Sequence, residues 1–569
     1  MKMNKILYEL RLMETEAGVG YFSCVPETEF NFEELVSVLR SCPFDEFLRR
    51  HLLMQISSWK KDDLKKRIKQ TDDQVVLSLF YEVCILNEHF NDLKKLFKQK
   101  DLKKLSVQTP LIYIKSRLEK DWAVHFRWIE MFGKNILEHK PLVSPSSMNL
   151  PFPYSKEELD NIAGNTAGLQ EIHKEILNLE IPRSFPRPSP LETSMTALEK
   201  LERLGIICEE EKRHTASLSP IALLRKWKVN ISVQNGRHNY RLSGIQTSYG
   251  RGLDLEYARA ALNMEMIERC SSFAGFDSSG VIGYEKEYPL TFASFSQLQK
   301  KEIAALNPNS LALETPYKDE PLHWIEGIMQ TAESQVPVLV PAQCVFLFCN
   351  LDEIKLFAGL GSTGLASGNT MEEAKVSAIH EIIERDCDGT TPYNPSQCFN
   401  LETEEPKLNA LLRNYVEAGI RVQFQDITSD MGLPCCKCFV INKHGQVIKG
   451  TGANLNAGKA LISALTETPY PFPYGEPSDY GLYRLTRVPF ENLPDYSLGN
   501  GAGDLAILEK LLISNKYNPI YIDLTRKDIG IPVVRAVIPG MEITGDFDRF
   551  SRVHPRLFAN YLKIFEEKK

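Results

Sequence analysis

The sequence has no apolar run long enough to cross a bilayer. Its longest, VPVLVPAQCVFLF at Val336–Phe348, is roughly 13 residues and broken by proline, where a membrane helix needs roughly 20. It has no excess of basic charge: 67 Lys and Arg stand against 74 Asp and Glu, and a net charge of −7 argues against a generic binder of nucleic acid or anionic membrane. The opening MKMNKILYELRLMETE interleaves acids and polar residues where a secretory signal needs an unbroken apolar stretch, so a cytoplasmic protein is expected. Regular cysteine spacing is missing too. The 12 cysteines are scattered, which in a large chain without a signal peptide makes most of them reduced, buried small residues. Only Cys435, Cys436 and Cys438 cluster; PCCKCFVI reads as a strand, and a metal site there lacks further ligands at a fixed spacing. The P-loop pattern GxxxxGK[ST], a strand-linked GxGxxG and HExxH are all absent.

What is present is a long, ordinary globular composition, with 569 residues, 43% of them hydrophobic and 25% charged, so two or more domains with ample cores are expected. Residues 1–140 read as a mainly helical domain: Val76, Leu79, Val83, Leu86, Phe90, Leu93 and Phe97 recur at intervals of three and four, with Thr71, Asp72 and Asp73 as candidate caps. Basic clusters at Lys60–Lys69 and Lys94–Lys104 are interleaved with acids and read as solvated helix faces, or as a docking surface for an acidic partner or RNA. Residues 141–190 accumulate prolines, ending in IPRSFPRPSP at Ile181–Pro190, and read as a semi-rigid linker. From 191 to 569 strands alternate with helices. KWKVNISV (Lys226–Val233), CVFLF (Cys344–Phe348), CFVI (Cys438–Ile441) and PIYIDL (Pro519–Leu524) read as strands of an α/β or mixed α+β domain.

One pattern is written twice. MEMIERC at Met264–Cys270 and HEIIERDC at His380–Cys387 each place Glu-x-x-Glu-Arg on a helix, so that Glu265, Glu268 and Arg269 share one face and Glu381, Glu384 and Arg385 share another, with Ser377 one turn earlier. For one copy alone a surface helix with Glu–Arg pairs would suffice. Two copies surrounded by apolar Met264, Ile267, Ile382 and Ile383 suggest partial burial, and partly buried acids need positive compensation. A hard divalent cation bound by oxygen supplies it, and Mg²⁺ shares its shell with water and phosphates. Glycine-rich GRGLD (Gly250–Asp254) and GLASGNTMEEA (Gly364–Ala374) precede the two helices and could bring backbone N–H groups to an anion, with Arg251 as a mobile cation and Asn369 as a polar ligand.

These residues resemble the YcaO family of ATP-using enzymes. GRGLDLEYARAALNMEMIERCSSF, HWIEGIMQTAESQVPVLVPAQCV, STGLASGNTMEEAKVSAIHEIIERD and DLTRKDIGIPVVRAVIPGMEI look like family blocks in family order, and the second helix has the family's Sx₃Ex₂ER motif whole. The resemblance implies a YcaO-like domain of internally repeated strand–helix units, preceded by the helical N-terminal domain. It implies Mg²⁺ and ATP as cofactors, with Glu265, Glu268, Glu381, Glu384 and Glu467 as metal carboxylates and Arg251, Arg269, Asn369, Ser377 and Arg385 as nucleotide contacts. The implied reaction is phosphorylation of a peptide backbone amide oxygen, giving a thioamide or, as in a cyclodehydratase, an azoline. A role as accessory factor to ribosomal protein S12 methylthiotransferase, or as a nucleotide-binding adaptor without catalysis, is the alternative. The implied partners are a peptide or protein substrate and a separate sulfur-delivery or substrate-presenting protein; no membrane or nucleic acid is expected, and homodimerisation stays open.

The sequence departs from the family in several places. Ala261 stands where a serine is usual, and Arg251 replaces a frequent lysine. In SALTETPYPFPYGEP the third helix keeps Glu467 but has Ser463 at the earlier polar position and meets Pro469, which should end it. Tyr470, Phe472 and Tyr474 read either as a wall beside a ligand or as a plug over a core edge. The chain closes with FANYLKIFEEKK rather than the proline-rich tail of azoline-forming members. Cys270, Cys387 and His380 are expected in the core, no catalytic residue is assigned, and Arg535 reads equally as a site cation or a paired structural charge.

Overall fold

The alternation in KWKVNISV puts every second residue on one face, and it belongs to a long hairpin. The strand Ile221–Asn235 turns at Gly236, whose φ of 54° suits glycine, and returns as His238–Gly252. The structure, a computed structural model, describes residues 6–13, 21–27, 30–97, 99–162, 166–177 and 187–566. Among these the strands form three sheets. The first runs Tyr21–Pro26, Ile6–Met13, His238–Gly252, Ile221–Asn235, Gly275–Asp277, Gly280–Ile282. The strand Ile6–Met13 lies parallel to His238–Gly252 with Tyr8 opposite Leu242, so residues from the N-terminal region extend the sheet of the later one. The second sheet runs Gln335–Pro341, Leu322–Gln330, Ile520–Asp523, Val533–Val537, Leu365–Ser367. The third runs Val447–Ala453, Cys435–Ile441, Gln423–Asp426, Cys398–Glu402, Thr486–Pro489.

A hairpin followed by a helix occurs twice. His238–Gly252 leads into the helix Leu255–Ser272, and Val447–Ala453 leads into Ala457–Glu467. Both hairpins end in Gly-x-Gly for one physical reason. A Cβ on Gly250 would stand 2.1 Å from the Ala258 carbonyl oxygen, and one on Gly452 would stand 2.2 Å from the Ala460 carbonyl oxygen, so the helix backbone lies directly on the strand. The glycines therefore make room for helices. The middle residues, Arg251 and Thr451, alternate to the opposite face.

Several sequence expectations meet their outcome here. CFVI and PIYIDL lie in the strands Cys435–Ile441 and Ile520–Asp523. CVFLF does not form a strand: Gln335–Pro341 is the strand, Ala342–Cys344 is a 3-10 turn, and Val345 and Phe346 are buried from a turn. Periodicity cannot separate these cases, because a short apolar run buried on all sides looks the same in either conformation. The helix expected from Val76 onward is Gln74–Leu86, capped by Asp73 accepting from Val75 and Val76 N–H, and the run continues as the 3-10 helix Glu88–Leu96 after extended Asn87. In the proline-rich segment the helices Pro145–Met148, Lys156–Ile162 and Leu169–Ile176 form, and Leu169, Ile172 and Ile176 are buried. Ile181–Pro186 of that segment lie outside the described residues. The helix Pro555–Glu566 packs Leu557, Phe558 and Tyr561 against Trp128, Ile129 and Phe132. No helix among the described residues is long and apolar enough to cross a membrane.

Replacing Gly452 with valine should cost about 3 kcal/mol of unfolding free energy, because the strand and the Ala457–Glu467 helix must part. Chemical denaturation of Gly452→Val against an exposed control in open space, Gly359→Ala, measures this.

Candidate active site

Three helices bring the acids together, and each is set in place by its own apolar face and cap. Leu255–Ser272 starts at Asp254, whose side chain accepts from Tyr257 N–H, and buries Leu262, Met266 and Ile267. Met371–Thr390 starts at Thr370, accepting from Glu373 N–H, and buries Ala378, Ile379, Ile382 and Ile383. Ala457–Glu467 starts at Asn456 and ends one residue before Thr468–Pro469, as a proline without an N–H requires. The polar faces left over hold Glu265, Glu268, Arg269, Glu381, Glu384, Arg385 and Glu467.

Neighbouring strands and turns orient these carboxylates. Tyr249 N–H donates to Glu265 Oε2 at 3.2 Å, Gly364 N–H to Glu381 Oε2 at 3.1 Å, and Thr451 Oγ1 to Glu384 Oε1 at 2.7 Å. Gly364 has a φ of 85°, and a Cβ there would meet the Ala536 carbonyl oxygen at 2.5 Å. Arg269 pairs with Glu268 and lies 3.8 Å from Glu265; Arg385 Nη2 lies 3.9 Å from Glu384. Behind Glu384, Asp388 is held between Lys437 at 2.9 Å and Lys449 at 2.6 Å. Arg535 enters from the strand Val533–Val537, is buried, and donates to the Gly361 carbonyl at 3.1 Å.

The cluster is electrostatically crowded. Burial pushes the Glu268 carboxyl up to about 8; Arg269 opposes this, while Glu381 and Glu265 add to it. Burial, then Glu467, pushes Glu384 up to about 7. Glu265, Glu381 and Glu467 are raised as well, each first by burial. Glu467 feels Arg251, Arg385, Glu381 and Glu265, which places the third helix in the same site as the other two. Burial lowers Arg535 to about 10 against the pull of Glu381. The side chains are still reachable, with Glu265 25% and Glu268 15% exposed.

This donor set fits Mg²⁺ with a nucleotide. Five carboxylates repel one another, and the guanidinium Nε atoms of Arg251 and Arg535 are buried without a hydrogen-bond partner, as donors awaiting an anion would be. Among the described residues no three His, Cys, Asp or Glu stand close enough to hold an ion unaided.

Of the residues singled out in the sequence, Arg251, Glu265, Glu268, Arg269, Glu381, Glu384, Arg385 and Glu467 share this cluster. Ser377 is exposed on the same helix one turn before Glu381. Asn369 lies at that helix's start, where it donates to Glu373 and accepts from Thr193. Thr451 was missed; its signal is the GTG that repeats GRG. The Tyr249 and Gly364 amides leave no sequence signal, being backbone. Arg535 is buried beside the cluster, where Glu381 and Glu268 act on it. Cys270, Cys387 and His380 are buried, and His380 Nε2 accepts from Leu455 N–H with its pKa lowered to about 4 by burial. Cys435, Cys436 and Cys438 are buried along their strand. The segment after the third helix behaves as a plug: Tyr470 is buried and donates to the Glu476 carbonyl, Phe472 packs edge-on to Tyr415, and Tyr474 is 90% exposed.

The profile of a family described as YcaO cyclodehydratase, ATP- and Mg²⁺-binding, matches residues 249–469 and 477–542, half of the chain. The chain belongs to the YcaO family. ATP and Mg²⁺ are accordingly its cofactors, and the profile's break at 470–476 falls on the aromatic–proline plug. An uncharacterized protein of Methanothermobacter thermautotrophicus is 30% identical over 330 residues, covering 52% of this chain and 81% of that relative. An uncharacterized protein in the tfuA 3′ region of Rhizobium leguminosarum bv. trifolii is 24% identical over 236 residues, 38% of this chain and 53% of its own. Among solved structures, a heterocyclase in complex with substrate and cofactor aligns with a TM-score of 0.49 at 20% identity, covering 64% of this chain and 55% of that one. The YcaO from Methanopyrus kandleri bound with AMPPCP and Mg²⁺ aligns with a TM-score of 0.45 at 20% identity, covering 64% and 93%. The chain thus spans about half the length of the Rhizobium relative and of the heterocyclase.

Without metal, the carboxyls raised on folding make the native YcaO domain bind more protons than the unfolded chain. For Glu268 this holds between the ordinary 4.5 and about 8. Metal-free stability should therefore fall as pH rises through that window, and Mg²⁺ should restore it while releasing protons. Thermal unfolding from pH 5 to 8.5 with and without Mg²⁺, and calorimetry in buffers of different ionisation enthalpy, measure both effects. Thr451→Val should weaken Mg²⁺-ATP binding about tenfold by freeing Glu384 to turn.

Proposed function

We propose that this YcaO protein activates a peptide backbone amide at the expense of ATP, for thioamide formation. The observation behind this reading is the convergence of nine charged side chains in one cluster: five acids from three helices for metal, and Arg251, Arg269, Arg385 and Arg535 for phosphate. In it Glu265, Glu268, Glu381, Glu384 and Glu467 hold Mg²⁺, and the four arginines, with Asn369 and Ser377, hold the nucleotide. Bound there, Mg²⁺-ATP supplies the phosphoryl group that lets an amide oxygen leave as phosphate, with ADP as the other product and C=S replacing C=O when the nucleophile is hydrosulfide. The chain's own residues bind and orient the phosphates, spread the developing charge over buried guanidinium groups, and keep bulk water from the carbonyl.

Sulfide is favoured over a substrate side chain by what surrounds the site. A serine, threonine or cysteine nucleophile must lose a proton to a positioned base, whereas hydrosulfide is already ionised near neutral pH. His380 is buried and engaged with Leu455, the thiols of Cys270, Cys435, Cys436 and Cys438 are raised by burial, and the carboxylates are committed to metal. In this reading residues 1–140 form a docking domain for a peptide or a sulfur-delivery protein, 141–190 a connecting segment and 191–569 the catalytic domain. One observation favours a second reading, an ATP-binding accessory protein such as an S12 methylthiotransferase factor: the third helix stops at Glu467 and offers no polar positions beyond it.

ATP turnover measured with peptide libraries and sulfide separates the two. Peptide-stimulated turnover, a product heavier by the oxygen-to-sulfur exchange, and loss of more than about a hundredfold in Glu384→Gln are expected for the enzyme. Nucleotide binding without stimulated turnover would assign the accessory role.

A further inference from the structure

Away from the carboxylates, the strand Tyr21–Pro26, the start of the helix Glu46–Ser57 and residues 343–360 enclose a cavity of about 300 Å³. Phe22, Phe47, Phe346, Phe348, Phe357 and Leu360 line it with apolar surface. Phe348 does so from a backbone φ of 50°, a conformation an aromatic residue rarely adopts and one that proteins tend to keep at ligand sites.

Glu46, Arg50 and Lys355 also line it, held together by ion pairs. Arg50 Nε lies 2.8 Å from Glu46 Oε1 and Lys355 Nζ 2.9 Å from Glu46 Oε2, so two cations share one carboxylate and one positive charge is left over in the lining. Their other contacts are neutral: Arg50 donates to Tyr113 Oη at 3.1 Å and to the Ala358 carbonyl, and Lys355 to the Cys349 carbonyl at 2.6 Å. A further acid, Glu353, which is not part of the lining, also acts on Lys355 while accepting from His323 N–H and Gln343 Nε2. Five guanidinium N–H and three ammonium N–H groups outnumber these acceptors, so donors remain for a ligand.

We propose that this cavity binds an apolar carboxylate, with the hydrophobic part among the phenylalanines and the carboxylate on Arg50 and Lys355. Its volume is at the small end of ligand pockets, suited to one aromatic side chain or a short alkyl chain. A peptide ending in a hydrophobic residue and a free apolar acid share this chemistry. The wall at Phe357–Leu360 runs on to Gly361, whose carbonyl receives Arg535, so the ligand sits beside the loop that borders the active site.

Calorimetric titration of the full chain with N-acetyl-phenylalanine, N-acetyl-phenylalaninamide and octanoate tests this. The two acids should bind and the amide should bind about tenfold more weakly or not at all, since it lacks the charge that makes the hydrogen bonds strong. Tighter binding of N-acetyl-phenylalanine than of octanoate points to a peptide terminus, and the reverse to a free acid. Lys355→Met, checked for folding by circular dichroism, should weaken acid binding by about tenfold. Equal binding of acid and amide, no binding of any probe, or undiminished acid binding in a folded Lys355→Met protein would overturn the proposal. If that variant does not fold, the acid–amide comparison on the native chain decides.

Discussion

The mutual repulsion of Glu265, Glu268, Glu381, Glu384 and Glu467 is the constraint around which this domain is organised. Burial first, and neighbouring carboxylates after it, raise the proton affinity of Glu268 and Glu384 despite the arginines beside them. The arrangement persists because each helix is held from behind by a buried apolar face and a capped start, so the acids cannot relax by moving apart. A site built in this way is poised for divalent metal and phosphate, whose charges complete the balance.

Seating the first and third helices on their strands demands unusual backbone contacts. The two Gly-x-Gly hairpin ends let helices sit on strands with no side chain between, and the intervening Arg251 and Thr451 are thereby aimed at acids of other helices. The same short sequence thus fixes a packing distance and delivers a site residue. Repetition of the hairpin–helix unit explains why the site is assembled from similar parts while its third part, ended by Pro469, is shortened.

Much of this was legible in the residues. The doubled Glu-x-x-Glu-Arg helices, the helix stop before Pro469, the strand in CFVI and the burial of Cys270, Cys387 and His380 all follow from spacing and local chemistry. CVFLF was not legible, because a turn that happens to be buried is as apolar as a strand. The packing role of Gly250 was not legible, since a glycine needed for close helix packing and one needed for ligand approach look alike until the neighbour is known. Backbone donors such as Tyr249 and Gly364 have no side-chain signature at all.

By itself, then, the sequence determined which residues are acidic, which helices present them and where those helices start and stop, because caps, prolines and apolar periodicity act within a few residues. Only the tertiary structure decided that Glu467 joins the other four acids, that Arg535 enters the cluster, that Thr451 orients Glu384 and that Asn369 stays with Glu373 and Thr193. Those outcomes depend on which strand edge meets which helix face, and such pairings between distant segments are set by close packing rather than by any local pattern.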